Sequence, residues 1–158
     1  MAQLTPRFSA DRTVRQYTEE HYLPSATAYR ERAAEKGAVG TQMFNWKHAL
    51  EQNWATVRFG DVKVETYGEQ HVFEVQVYLN GLDPNAVRVE LYADGLNGGA
   101  SVRQEMTRGR QLTGAAHGYV YSASVPATRV VTDYTARVIP YCSRVAVPLE
   151  AAQILWQR

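Results

Sequence analysis

The 158-residue sequence contains a single cysteine, Cys142, so no internal disulfide can form. That usage fits a reducing compartment. No apolar run approaches the roughly 20 residues that a membrane-spanning helix needs. The opening Met1-Ala2-Gln3-Leu4-Thr5-Pro6-Arg7 has no basic segment followed by an apolar core, so no secretory signal is visible. These absences predict a soluble cytoplasmic domain without a membrane partner. An excess of charge is also missing. Lys and Arg number 17 against 16 Asp and Glu, for a net charge of +1. Nucleic-acid binders concentrate basic charge on one face, so no nucleic-acid partner is expected.

Catalytic signatures are equally sparse. The four histidines, His21, His48, His71 and His117, never fall at i, i+3 or i, i+4, and Cys142 has no cysteine partner. A zinc site needs three or four such ligands, so no metal is expected. His71 falls on the apolar side of its strand, where a satisfied buried imidazole is the natural reading. There is no Gly-x-Ser-x-Gly elbow and no phosphate-cradling loop before a helix. The glycines of Gly95-Leu96-Asn97-Gly98-Gly99 join two strands and read as hairpin slack. Carboxylates are scattered, with no spacing that singles out an acid and a base.

What is present divides near residue 55. Before that point the apolar spacing is helical. Ser9 suits an N-cap with Asp11 in the first turn, and Val14, Tyr17 and His21 fall on one face. Pro24 should end that helix or begin the next. Ala26, Tyr29 and Ala33 share a second stripe that ends at Gly37, a natural C-terminal cap. A third stripe from Thr41 carries Met43, Trp46, Leu50 and Trp54 and must dock on something apolar.

After Trp54 the period becomes two. His71, Phe73, Val75, Val77 and Leu79 alternate with Val72, Glu74, Gln76 and Tyr78, and Val87, Val89 and Leu91 with Arg88, Glu90 and Tyr92. Further strands are expected at Val57–Thr66, Ser101–Thr107, Tyr119–Val125, Thr135–Ile139 and Val145–Ala151, separated by Gly-, Asn- and Pro-rich turns. Val57 and Phe59 are out of phase with Val62 and Val64, which predicts a bulge at Gly60-Asp61. The fold class expected is mainly β: an immunoglobulin-like antiparallel β-sandwich over 55–158, preceded by a short helical region over 1–54. The aromatics supply the candidate site. Tyr78 and Tyr92 lie on polar faces of strands expected to be neighbours, and exposed rings on a flat sheet can stack on sugar rings. The competing reading, favoured here, is that the helices or another domain cover that face. Tyr119 and Tyr121 are assigned to core packing by default.

Several stretches resemble a known family in collinear order. Phe8-Ser9-Ala10-Asp11-Arg12-Thr13-Val14 with Gln16-Tyr17 is similar to the closing helix of the catalytic body of α-glucan (glycogen/starch) phosphorylases. Tyr22-Leu23-Pro24 and Ala28-Tyr29-Arg30-Glu31-Arg32-Ala33 look like the bacterial and archaeal branch with an extra C-terminal domain. Val87 to Asp94, Asp133 to Pro140, Pro148-Leu149-Glu150 and Ile154-Leu155-Trp156 continue the likeness. Thr13 stands where that branch often has Met, and Cys142 where a histidine is expected. The resemblance implies a parent enzyme that uses pyridoxal phosphate on a lysine to phosphorolyse α-1,4-glucan to glucose 1-phosphate. None of Lys36, Lys47 and Lys63 has the Gly- and Ser/Thr-rich context of such a cofactor lysine. The implied role is therefore a non-catalytic C-terminal accessory domain, holding no catalytic, cofactor or metal residues. Its expected partners are the catalytic domain of the same polypeptide, α-glucan, and further copies of the chain through the N-terminal helices. The alternative from another class is a free-standing carbohydrate-binding or protein-interaction module.

Overall fold

The computed structural model describes residues 9–148 and 150–158. The expectations that fall on Phe8 and Leu149 lie outside the described residues. The chain divides into two compact units, one ending at Asn45 and the other Trp46–Arg158.

The first unit is helical. Helix α1 (Ala10–Tyr17) begins at Ser9, whose hydroxyl accepts from the Arg12 N–H at 3.3 Å, with Asp11 in the first turn. A π-helical turn, Thr18–Tyr22, leads into α2 (Leu23–Asn53). Pro24 is thus the second residue of α2, immediately after the π turn, where the helical run changes its hydrogen-bond spacing without ending. Glu35, Lys36 and Gly37 have positive φ and break α2, so the helix expected to end at Gly37 does turn there. Neither α1 nor the π turn contains a buried residue. Val14 is 65% exposed and Tyr17 54%, so the apolar stripe of this helix faces water.

The second unit opens with the last turns of α2. Leu50 is fully buried, Trp46 and Trp54 pack on the same core, and the Trp46 indole N–H donates to the Ala86 carbonyl at 3.3 Å. The docking surface required by that stripe is therefore the core of the β region. Among the described residues eight strands follow in two antiparallel sheets. One sheet has the order β1-β2-β6-β5, built from β1 (Arg58–Tyr67), β2 (Gln70–Tyr78), β6 (Gly118–Pro126) and β5 (Thr107–Gln111). The other has the order β4-β3-β7-β8, built from β4 (Val102–Glu105), β3 (Val87–Ala93), β7 (Thr135–Pro140) and β8 (Leu155–Trp156).

Alternation along the strands puts Phe73, Val75 and Val77 of one sheet, and Val87, Val89, Leu91 and Val138 of the other, into one hydrophobic cluster. Phe73 and Tyr134 meet edge to face across it, ring centroids 5.7 Å apart. The bulge falls where the phase slip places it. Phe59 pairs with Val77 and Val62 with Val75, so Gly60 and Asp61 together face Gln76. That extra residue returns Phe59, Val62 and Val64 to one face.

Two strand expectations are corrected. Ser101–Thr107 is not one strand: β4 pairs with β3 and β5 with β6, so the chain changes sheets at Met106. Met106 is the corner, its side chain buried and its N–H donating to the Val89 carbonyl at 2.9 Å. A strand crossing from one layer to the other has to bend, and a buried apolar residue holds that bend. Val145–Ala151 is not a strand either. The described part is a run of turns in which Glu150 accepts from the Ala146 N–H through Oε2 at 2.9 Å and donates its own N–H to the Ala146 carbonyl at 2.8 Å. Pro148 brings no N–H to a ladder there. The pairing with β7 is made instead by Leu155 and Trp156.

Candidate functional site

Tyr78 and Tyr92 are not neighbours. Tyr78 ends β2 in one sheet and Tyr92 lies on β3 in the other, so the single two-tyrosine platform expected from the sequence does not form. Which strands pair is set by long-range register, and a period of two within each strand carries no information about it.

Each ring is already engaged. Tyr78 lies across two glycines. A Cβ added at Gly60 would stand 2.8 Å from its Cε2, and one at Gly118 would stand 3.2 Å from its Cδ1. The Arg58 guanidinium sits 4.0 Å from the ring centroid. The Tyr92 ring meets Trp156 of β8 edge to face at 5.4 Å, and the Arg137 guanidinium lies 4.5 Å from its centroid. The Tyr92 hydroxyl donates to Asp94 Oδ1 at 3.0 Å.

Arg137 is the centre of this second cluster. It lies opposite Glu90 on β3 and opposite Trp156 on β8, on the outward side of the sheet. Its Nε donates to Glu90 Oε1 at 2.6 Å, and its Nη2 reaches the same oxygen. The two side chains are only 12% and 8% exposed. Arg137 also lies 5.1 Å from the Trp156 ring. One cation thus joins β3, β7 and the two-residue β8 through a paired charge and two aromatic faces. Strand periodicity put Tyr92 on a polar face, and the same reading puts Glu90 and Arg137 there, but their meeting depends on the register of β3 against β7.

Beside this cluster is a cleft of about 690 Å³, with Arg88, Arg103, Tyr141, Cys142 and Ile154 in its wall. Arg88 Nε lies 3.1 Å from Glu105 Oε2, and its guanidinium stacks 4.1 Å from the Tyr141 ring. Its wall also holds Glu90, Glu105 and Arg137, next to the aliphatic Ile139, Val145 and Val147.

Other titratable residues singled out by the sequence stand apart from this cluster. His71 is buried, with Nδ1 2.8 Å from the Thr66 hydroxyl and Nε2 2.9 Å from the Arg129 carbonyl. The carbonyl can only accept, so Nε2 carries the proton and Nδ1 accepts from Thr66. This is the satisfied imidazole expected from its position. Among the described residues no three metal-binding side chains cluster. Lys36, Lys47 and Lys63 are exposed, and Lys63 pairs with Glu65 at 2.7 Å. That pairing holds the Glu65 carboxyl below its usual range and raises the Lys63 ammonium, chiefly through the hydrogen bond between them. Tyr119 and Tyr121 both pack toward the core, as assigned by default.

Among the described residues no helix is long and apolar enough to cross a membrane. Compared with known proteins, the chain is similar to the glycogen phosphorylases of Mycobacterium tuberculosis, strains CDC 1551 / Oshkosh and H37Rv, and of Mycobacterium bovis. Each is 27% identical over 146 residues, covering 87% of this chain and 17% of the relative. The chain therefore spans less than a fifth of the length of these relatives. The family described as the glycogen phosphorylase C-terminal domain matches residues 54–158, the whole β region with the last helical turn. That match takes in two thirds of the sequence, and the chain belongs to the glycogen phosphorylase C-terminal domain family.

Proposed function

We propose that the chain is the non-catalytic accessory part of an α-glucan phosphorylase. Residues 1–54 close the catalytic body and connect it to an immunoglobulin-like sandwich over 55–158. The parent enzyme phosphorolyses α-1,4-glucan to glucose 1-phosphate in the cytoplasm, with pyridoxal phosphate held elsewhere in the polypeptide. The observation that carries this reading is the family match over residues 54–158, joined to a preceding helix that buries none of its own side chains. α1 continues through the π turn into α2 but buries none of its side chains, so its exposed Val14 and Tyr17 form an apolar stripe that belongs against a partner surface. The catalytic body supplies that surface, and in its absence a second copy of the chain does.

The glucan-holding role is secondary. Tyr78 and Tyr92 are committed to Arg58 and Arg137, so neither offers a free pair of faces. Ring stacking is worth roughly 0.5–1.5 kcal/mol beyond area burial, far short of micromolar affinity. This disfavours the free-standing carbohydrate-binding module. The test is direct: the purified chain, incubated with maltodextrin and phosphate, should release no glucose 1-phosphate and show no pyridoxal absorbance. A cofactor band that disappears on replacing Lys36, Lys47 or Lys63 would overturn the reading.

A further inference from the structure

A second cleft opens where the chain changes sheets. It measures about 540 Å³, and its wall includes Asn85, Met106, Arg108, Tyr121 and Tyr141, together with Glu105, whose charge is matched by Arg88 at 3.1 Å. That volume lies within the range that holds small ligands. Arg108 on β5 stands directly across the strand pair from Tyr121 on β6. Its Nη1 donates to Asn85 Oδ1 at 3.3 Å, and its guanidinium approaches the Tyr119 ring at 5.7 Å. Among the described residues no carboxylate pairs with it. Tyr121 is only 4% exposed; the Arg108 guanidinium bears on its hydroxyl oxygen, and the hydroxyl proton has no acceptor among the described residues. Buried tyrosine hydroxyls ordinarily find a partner, and an unmade bond of this kind is costly.

An uncompensated cation beside a buried donor calls for an acceptor that bears negative charge. We propose that this cleft binds a small oxyanion-bearing ligand, a phosphate monoester or a carboxylate, with Arg108 and the Tyr121 hydroxyl as its donors. Asn85 orients Arg108, and the faces of Met106 and Tyr141 bound the remainder of the ligand. Burial pushes the Tyr121 hydroxyl up to about 12 while Arg108 opposes the shift, so the hydroxyl stays protonated and able to donate at neutral pH. Access runs past the exposed Arg108 side chain, which is held by the bond to Asn85 and by its contacts with Tyr119 and Tyr121.

The experiment is a titration of the full 158-residue chain followed by its backbone amide spectrum, at constant ionic strength. The probes are inorganic phosphate, glycerol phosphate and acetate, with sodium chloride and glycerol as controls. Saturable shifts centred on Asn85, Arg108 and Tyr121 are expected. Tighter binding of glycerol phosphate identifies a phosphate ester, and tighter binding of acetate a carboxylate. Arg108→Gln should weaken binding at least about tenfold, and Tyr121→Phe by about threefold to tenfold. Without ligand, Tyr121→Phe should melt at an unchanged or higher temperature, because it removes a donor that has no partner. Shifts that never saturate, that chloride reproduces, or that persist with equal affinity in both variants would overturn the proposal. So would a melting point several degrees lower in ligand-free Tyr121→Phe, which would mean the hydroxyl is already engaged inside the fold.

Discussion

Replacing Arg137 by Met keeps most of the side-chain volume against Tyr92 and Trp156 and removes the charge. Glu90 then stays in a site where its side chain is 8% exposed, with no cation opposite it. Leaving one member of a desolvated pair behind costs about 3–5 kcal/mol, and losing the cation over two rings adds about 0.5–2 kcal/mol. For a domain of this size each kcal/mol moves the midpoint by roughly 4 °C, so Arg137→Met should lower Tm by roughly 14–28 °C. Glu90→Gln keeps an acceptor for the Arg137 Nε and leaves the cation its two aromatic faces, so its loss should be smaller, about 1–3 kcal/mol. The double variant Glu90→Leu with Arg137→Met removes both charges together and should fall within about 1 kcal/mol of the parent, or above it. Urea unfolding followed by circular dichroism gives the four free energies, provided the denaturant slopes agree. If Arg137→Met alone costs less than about 1 kcal/mol, the pair is hydrated, and the view that one buried cation fastens β8 to the sheet is wrong.

Three further outcomes follow from the same structure. Leu50 is fully buried where the end of α2 meets the β core, so Leu50→Ala should cost about 2–5 kcal/mol, measured by urea unfolding. The Tyr121 hydroxyl is raised by burial to about 12, above its value in the unfolded chain. Folding therefore favours its protonated form, and stability that is complete below about pH 10 should fall on the order of 2 kcal/mol as pH climbs toward 12, a slope that Tyr121→Phe removes from pH-dependent unfolding curves. Calorimetric titration with a maltooligosaccharide should give weak or undetectable heat. Tight binding that survives joint Tyr78→Ala and Tyr92→Ala would refute any glucan role for those rings.

Much of the local structure was legible in the sequence, because local signals fix it. The Ser9 cap, the turn at Gly37, the change of period near residue 55 and the bulge at Gly60-Asp61 each depend on a few adjacent residues. The features that were not legible depend on which strand meets which. Tyr78 and Tyr92 are near in sequence, but β2 and β3 belong to different sheets. The run Ser101–Thr107 reads as one strand because nothing local in Met106 marks a change of layer. Val145–Ala151 has strand-like composition, and the tight Ala146–Glu150 turn overrides it. Glu90, Arg137 and Trp156 sit on three different strands, and only the register of β7 between β3 and β8 brings them together.

The central claim is that the helix before Pro24 belongs against a surface outside this chain, while the region from the end of α2 onward folds on its own core. Amide hydrogen exchange at two protein concentrations tests both parts at once. Protection should begin near Thr41 and cover the β strands. Residues 10–22 should exchange rapidly at low concentration and gain protection only as concentration rises, when Val14 and Tyr17 can be covered by a second copy. Full protection of residues 10–22 in a dilute monomer would contradict the account, because the helix would then be stable without any partner surface.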